Sequence, residues 1–188
     1  DQTLTGNYTA PVSIGNGVAA WSYDATFWNA LTVQPAGTLA VSYSHSMTIN
    51  SVATNFGTLR LFSRDVNTYL SGAGRIENPG LMEVASLGSG GGWANLYVPI
   101  NVPAGGRLAL ATESRAYLRS GSSLALAGTL DIQPSARMVS LNEAPSRDLT
   151  LLGGNALTGG GVLQLDGGNR LVAAAPAELG LQLQLNDS

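Results

Sequence analysis

Gly57-Thr58-Leu59-Arg60-Leu61 decides how this chain is read. A glycine is followed by a variable residue, then an aliphatic, a polar residue and a second aliphatic. Close copies are Gly37-Thr38-Leu39-Ala40-Val41, Gly80-Leu81-Met82-Glu83-Val84, Gly106-Arg107-Leu108-Ala109-Leu110, Gly128-Thr129-Leu130-Asp131-Ile132 and Gly161-Val162-Leu163-Gln164-Leu165. The third and fifth positions stay apolar, while the fourth accepts Arg, Glu, Asp and Gln. A period of two marks a strand with one buried face. The glycine is expected to supply the backbone turn ahead of each strand. The six glycines stand 20, 23, 26, 22 and 33 residues apart. Repeats of that length, each too small to bury its own apolar face, read as a solenoid.

Working outward, Leu31-Thr32-Val33-Gln34-Pro35-Ala36-Gly37 reads as a strand and a Pro-Ala-Gly corner, and Ile100-Asn101-Val102-Pro103-Ala104-Gly105 repeats the device. Met47 to Ser51 adds a strand, and Asn55-Phe56-Gly57 leads into the next coil; Asn at such corners tolerates left-handed backbone and stacks with its neighbours. Leu118 to Ile132 is the cleanest coil. Ser86 to Gly92 and Glu143-Ala144-Pro145-Ser146 read as loops leaving the stack, the second accounting for the gap of 33. Residues 1–30 are the least repetitive and read as a leading or capping segment with an aromatic cluster. Residues 31–188 read as the coils, within a single domain that belongs to a longer protein. The end Leu179-Gly180-Leu181-Gln182-Leu183-Gln184-Leu185 alternates strictly and has no cover of its own, so a further domain is expected beyond it. No stretch has a helical period with caps.

Composition agrees with short strands and tight turns. Of 188 residues 24 are glycine, 44% are hydrophobic and only 11% are charged, with a net charge of -3. The absence of cysteine excludes disulfides and thiolate metal sites. All nine basic residues are arginine, and they are scattered in an acidic chain, which argues against nucleic acid. No apolar run is long enough for a membrane-spanning helix, so no membrane insertion is expected. The opening Asp1-Gln2-Thr3 carries no signal-peptide pattern and reads as the start of an excised piece.

One phrase carries a resemblance. Leu70, Gly72, Gly74, Ile76, Asn78 and Gly80 form Leu-x-Gly-x-Gly-x-Ile-x-Asn-x-Gly, with Met82 where a final Leu would stand, and Leu157-Thr158-Gly159-Gly160-Gly161-Val162-Leu163 echoes it. The phrase resembles the repeats of large secreted bacterial proteins: autotransporter passengers, two-partner-secretion adhesins of the filamentous-haemagglutinin kind, and surface proteins with pectate-lyase-like repeats. The resemblance implies a right-handed parallel β-helix over residues 31–185 and an extracellular or cell-surface location. On function it is nearly mute. The expected fold is all-β, with about seven or eight coils stacked at roughly 4.8 Å. A jelly-roll sandwich is the competing fold.

Candidate sites were sought from chemistry. Proteins of this fold include polysaccharide lyases and hydrolases, and glycoside hydrolysis requires two facing carboxylates. Glu83 and Asp131, at equivalent fourth positions, are the weak catalytic candidates, sharing a face with Arg60 and Gln164. The competing reading is a solvated strand face. The Asn-Thr-Asp, Asp-Asp, Gly-His-Gly and Arg-Ile-Lys motifs of galacturonases are missing. His45 is the only histidine, so a His-based metal site is excluded and a catalytic triad would have to use it with Ser44 or Ser46, but no Gly-x-Ser-x-Gly elbow exists. Asp24 with Asn29 matches no calcium loop. Trp21, Tyr23, Phe27 and Trp28 suit either a sugar-stacking platform or a hydrophobic end cap. Trp21, Tyr23, Trp28 and Trp93 are therefore the candidate ligand-binding residues, with no metal and no cofactor.

The expectation is a non-catalytic structural or adhesive module of a bacterial cell-surface or secreted protein, whose loops meet a glycan, a host protein, another copy or the flanking domains. A polysaccharide-active enzyme and a carbohydrate-binding module are the alternatives.

Overall fold

A computed structural model describes residues 1–86, 92–143, 146–174, 177 and 179–186. Among them there is no helix: parallel strands stack as a β-solenoid of about eight turns. Each coil contributes one short strand to each of three columns, except that in the last turn the second column holds only an isolated bridge between Leu157 and Leu179 among the described residues.

The first column runs Val12–Ile14, Leu31–Val33, Val52–Asn55, Arg75–Glu77, Ile100–Val102, Leu124–Leu126, Asp148–Leu151 and Arg170–Ala173. The second runs from the start of Ala19–Phe27 through Thr38–Val41, Thr58–Ser63, Leu81–Ser86, Arg107–Leu110 and Thr129–Ile132 to Ala156–Thr158. The third runs from the end of Ala19–Phe27 through Ser46–Ile49, Thr68–Ser71, Ala94–Leu96, Arg115–Leu118, Arg137–Ser140 and Val162–Asp166 to Gln182–Asn186. Gln2–Tyr8 pairs in parallel with both ends of Ala19–Phe27. Every pairing is a one-coil step, so the ladder hydrogen bonds run along the axis.

The alternation in the sequence becomes in-register ladders of side chains. In the second column Ala20, Leu39, Leu59, Met82, Leu108, Leu130 and Leu157 are stacked rung on rung, each buried. In the third, Ala25, Met47, Leu70, Leu96, Leu118, Ser140 and Leu165 do the same. These ladders and their first-column counterparts make one continuous aliphatic core. No single coil could bury such a row alone.

Five repeat glycines, Gly37, Gly57, Gly80, Gly106 and Gly128, lie just before the second-column strands and stack in register, as read. Their reason differs from the expected one. None has a positive φ. A Cβ on Gly80 would sit 2.4 Å from the carbonyl oxygen of Gly57, and one on Gly128 would sit 2.3 Å from that of Gly106. The corner needs the close approach of successive backbones, not a left-handed turn.

The sixth copy is a correction. Val162 pairs with Arg137, so Gly161 opens a third-column strand. The true successor of Gly128 is Asn155, because Thr129 pairs with Ala156. The gap of 33 therefore reflects a change of corner, and residues 144–145 of the presumed loop lie outside the described residues. Gly72 and Gly159, the two halves of the echoed phrase, do share a conformation: φ is +118° and +109°, and a Cβ on either would strike an isoleucine carbonyl one coil below. They occupy different corners of the coil.

Two asparagines replace aliphatics inside the first column. Asn55 and Asn78 occupy the ladder of Val33 and Val102. Asn55 Nδ2 donates to Asn78 Oδ1 at 2.7 Å and to the Leu81 carbonyl at 2.8 Å, and Asn78 Nδ2 donates to the Arg107 carbonyl at 2.9 Å. The stack fastens successive corners where the backbone turns, as the corner reading expected, but neither asparagine has the left-handed backbone that the same reading allowed for.

At the amino-terminal end the columns already contain residues 12–27. Leu4 is buried beneath Gln2–Tyr8, and the Tyr8 ring stacks on Phe27 at 5.2 Å. At the other end Leu185 is 69% exposed, although its rung partner Leu165 is buried.

Candidate functional site

With the interior filled by aliphatics, chemistry is confined to the three outer faces and the corners. On the second face the outward rungs are Trp21, Ala40, Arg60, Glu83, Ala109, Asp131 and Thr158. Glu83 and Asp131 thus share a face with Arg60, separated by two coil steps, about 10 Å. Gln164 lies on the third face instead. Both carboxylates are held. Arg60 Nε donates to Glu83 Oε2 at 2.7 Å. Asp131 is only 5% exposed and receives Arg107, Gln133 at 2.9 Å and the Thr158 hydroxyl at 3.2 Å. Burial opposes ionisation of Asp131, but these donors outweigh it and hold its carboxyl below the usual range. A general acid requires the opposite displacement.

The amino-terminal aromatics do not form one platform. Phe27 points inward and is completely buried. Trp21 lies on the second face, stacked on Phe62 at 5.7 Å. Tyr23 sits at the corner between the second and third faces, edge-on to His45 at 4.9 Å. Trp28 is at the next corner and 57% exposed. Asp24, at φ +55°, accepts from the backbone and hydroxyl of Ser46 and contacts His45 Nδ1 at 2.9 Å. The bonds from His45 and Ser46 hold its carboxyl below the ordinary value. The Ser46 hydroxyl is engaged by Asp24, not by His45. Asn29 is occupied elsewhere, donating to the Thr9 carbonyl. Among the described residues no group of three or more His, Asp and Glu side chains is placed to hold a metal.

The densest polar-aromatic assembly lies on the third face, and only Trp93 of it was legible in sequence. The Trp93 and Tyr117 rings stack at 3.7 Å and 6°. The Arg115 guanidinium lies 5.3 Å from the centre of Trp93, and that of Arg119 lies 5.0 Å from Tyr117. Arg119 also donates to Asn95 and to Glu143, both at 2.8 Å. Glu143 accepts in addition from the Ser120 amide and from Arg147, whose guanidinium is buried among the carbonyls of Leu118, Leu141 and Glu143. Burial opposes ionisation of the Glu143 carboxyl, but Arg119, Ser120 and Arg147 together hold it below the usual range. Trp93 therefore presents an edge rather than an open face. Tyr117, Arg115 and Arg119 were missed because they read as ordinary outward residues. A repeat of 22 to 24 residues applied to Trp93 and Asn95 would have found them.

Two open concavities lie at corners. One, of about 450 Å³, is lined by Ser122, Ser123, Ser146, Asp148, Thr150 and Arg170. The other, of about 420 Å³, is lined by Ser44, Asp65, Val66, Asn67 and Tyr69. The expected loop at Ser86 to Gly92 has residues 87–91 outside the described residues.

No protein-family model, no curated protein and no solved structure matches this chain.

Proposed function

We propose that this chain is a non-catalytic structural and adhesive module: a stiff β-solenoid of a bacterial cell-surface or secreted protein whose outer faces and corners meet a glycan or another protein. The observation that carries the reading is the three-column parallel stack of about eight turns. About eight coils at roughly 4.8 Å give a rod on the order of 40 Å with a filled interior, so recognition falls to the surface. The spread of Trp21, Tyr23, Trp28 and Trp93 over separate faces and corners favours contact along the rod over chemistry at one centre.

The alternative is a polysaccharide-active enzyme acting through Glu83 and Asp131. Their separation approaches that of an inverting pair. The ion pairs of both, and the depressed carboxyl of Asp131, count against it.

A glycan-array screen of the wild type beside W21A and W28A, with circular dichroism as a folding control, tests the proposal. Specific binding without turnover of the bound glycan supports it, and loss of binding in a folded variant places the contact at that tryptophan. Cleavage of a bound polysaccharide that D131N abolishes would replace it with the enzyme reading.

A further inference from the structure

The nine arginines carry all the fixed side-chain positive charge of the chain. Seven of them lie within 4.0 Å of a carboxylate: Arg60, Arg64, Arg75, Arg107, Arg119, Arg147 and Arg170. Arg115 and Arg137 have no such partner among the described residues. The two are register neighbours on adjacent third-column strands, and both are exposed.

Like charges set directly opposite each other on a ladder repel. Packing does not require arginine at this rung, because the next two coils place Val162 and Gln182 there. Nearby, Arg119 and Arg147 share the single carboxylate of Glu143. Four guanidiniums over two coils thus face one paired carboxylate, with Glu113 exposed in the turn before Arg115. Arg137 spends one donor on Gln164 at 3.2 Å, and Arg115 leans over Trp93. Each guanidinium has five donors, so both keep donors for a ligand. The Trp93–Tyr117 stack forms an apolar wall beside them.

We propose that this strip binds a linear anionic glycan, with carboxylate or sulfate groups on Arg115 and Arg137 and sugar rings against the edge of the Trp93–Tyr117 stack. The inference rests on the reading of the rod as a recognition surface and names the ligand class for one of its faces. An anionic glycan fits better than a nucleic acid. Outside the strip the chain has five arginines against ten carboxylates (nine less four, and twelve less Glu113 and Glu143), which repels a densely charged polymer. A sparsely charged glycan needs a cation only at the rungs where its own charges fall.

Titration calorimetry with four probes tests this: a hyaluronan oligomer (one carboxylate per disaccharide), a κ-carrageenan oligomer (one sulfate per disaccharide), unmodified dextran and single-stranded oligodeoxythymidylate. One of the two charged glycans is expected to bind, more weakly as salt rises, and which one binds separates carboxylate from sulfate recognition. Replacing both arginines (R115Q with R137Q) should weaken that binding by about tenfold or more, the loss of charge-assisted hydrogen bonds. R170Q, which removes an exposed arginine from the first face, should leave it unchanged. If the double variant does not fold, R115Q and R137Q singly carry the comparison. No binding of either charged glycan, binding that survives the substitutions, or equal binding of the oligodeoxythymidylate overturns the proposal. Such a failure leaves the array test at Trp21 and Trp28 untouched, so the broader reading stands or falls separately.

Discussion

Glycine does two jobs at single positions in this rod, and side-chain space tells them apart. At Gly80 an added Cβ would meet the Gly57 carbonyl oxygen at 2.4 Å, backbone that cannot step aside. At Gly15 the nearest atom would be a Val18 methyl at 3.6 Å, an ordinary contact, and φ is not positive. Gly80→Ala should therefore destabilise by at least about 1–3 kcal/mol through overpacking. Gly15→Ala should be neutral or stabilise by about 0.4–1 kcal/mol through the unfolded chain. Urea unfolding of the two variants checks this, and similar losses in both would refute the close-approach account. Ser140 poses a different single-residue question. It stands in a core ladder between Leu118 and Leu165, and its buried hydroxyl has no hydrogen-bond partner among the described residues. Ser140→Ala removes an unmet polar atom at nearly constant volume, so thermal melting should rise, by about 1 kcal/mol of stability.

Between neighbouring coils, strands are joined by side-chain ladders as well as by backbone bonds. The Asn55–Asn78 pair is the polar example, buried in a column whose other buried residues are aliphatic. Asn78→Val leaves Asn55 with only the Leu81 carbonyl as acceptor and removes the side-chain donor to the Arg107 carbonyl, at a cost of about 1–3 kcal/mol. Replacing both asparagines by valine removes the two polar groups together and matches the aliphatic rungs at Val33 and Val102. A double-mutant cycle should then show a combined loss well below the sum of the single losses. Strict additivity would mean that the two side chains do not act as a unit.

For the rod as a whole, the dominant electrostatic pattern is that carboxylates are held ionised. Hydrogen bonds to His45 and Ser46 depress Asp24, those from Asn101 and Arg75 depress Glu77, and donors that outweigh burial depress Asp131 and Glu143. A folded-state value below the unfolded one means that each group stabilises above its ordinary carboxylate value, about 4, and that the stabilisation is lost as pH falls through the lower, folded value. Melting temperature should be insensitive to these groups near neutrality and fall steadily below about pH 4. Asp131→Asn should flatten part of that fall, because Asp131 is the most buried of the four. An acid limb unchanged by Asp131→Asn would show that its pairing with Arg107 contributes nothing to stability.

The alternation of aliphatics after glycine determined the fold class by itself, because a period of two with a recurrence near 23 residues has few physical solutions other than a stacked parallel coil. The inward residues, the Pro-Ala-Gly corners and the corner asparagines were legible for the same reason: they are local and repeat. What the sequence could not determine was which corner a given glycine occupies. Gly161 and the other repeat glycines look alike locally, and only the pairing of Val162 with Arg137 distinguishes them. The surface assemblies were legible only to a reading that carried the repeat length across coils. Trp93 meets Tyr117 diagonally, and Arg115 meets Arg137 directly, on successive coils, so their contact depends on register that only the stacked structure fixes. The aromatic run from Trp21 to Trp28 shows the converse: residues adjacent in sequence are turned by alternation and by a corner onto different surfaces, which is why closeness along the chain did not make one platform.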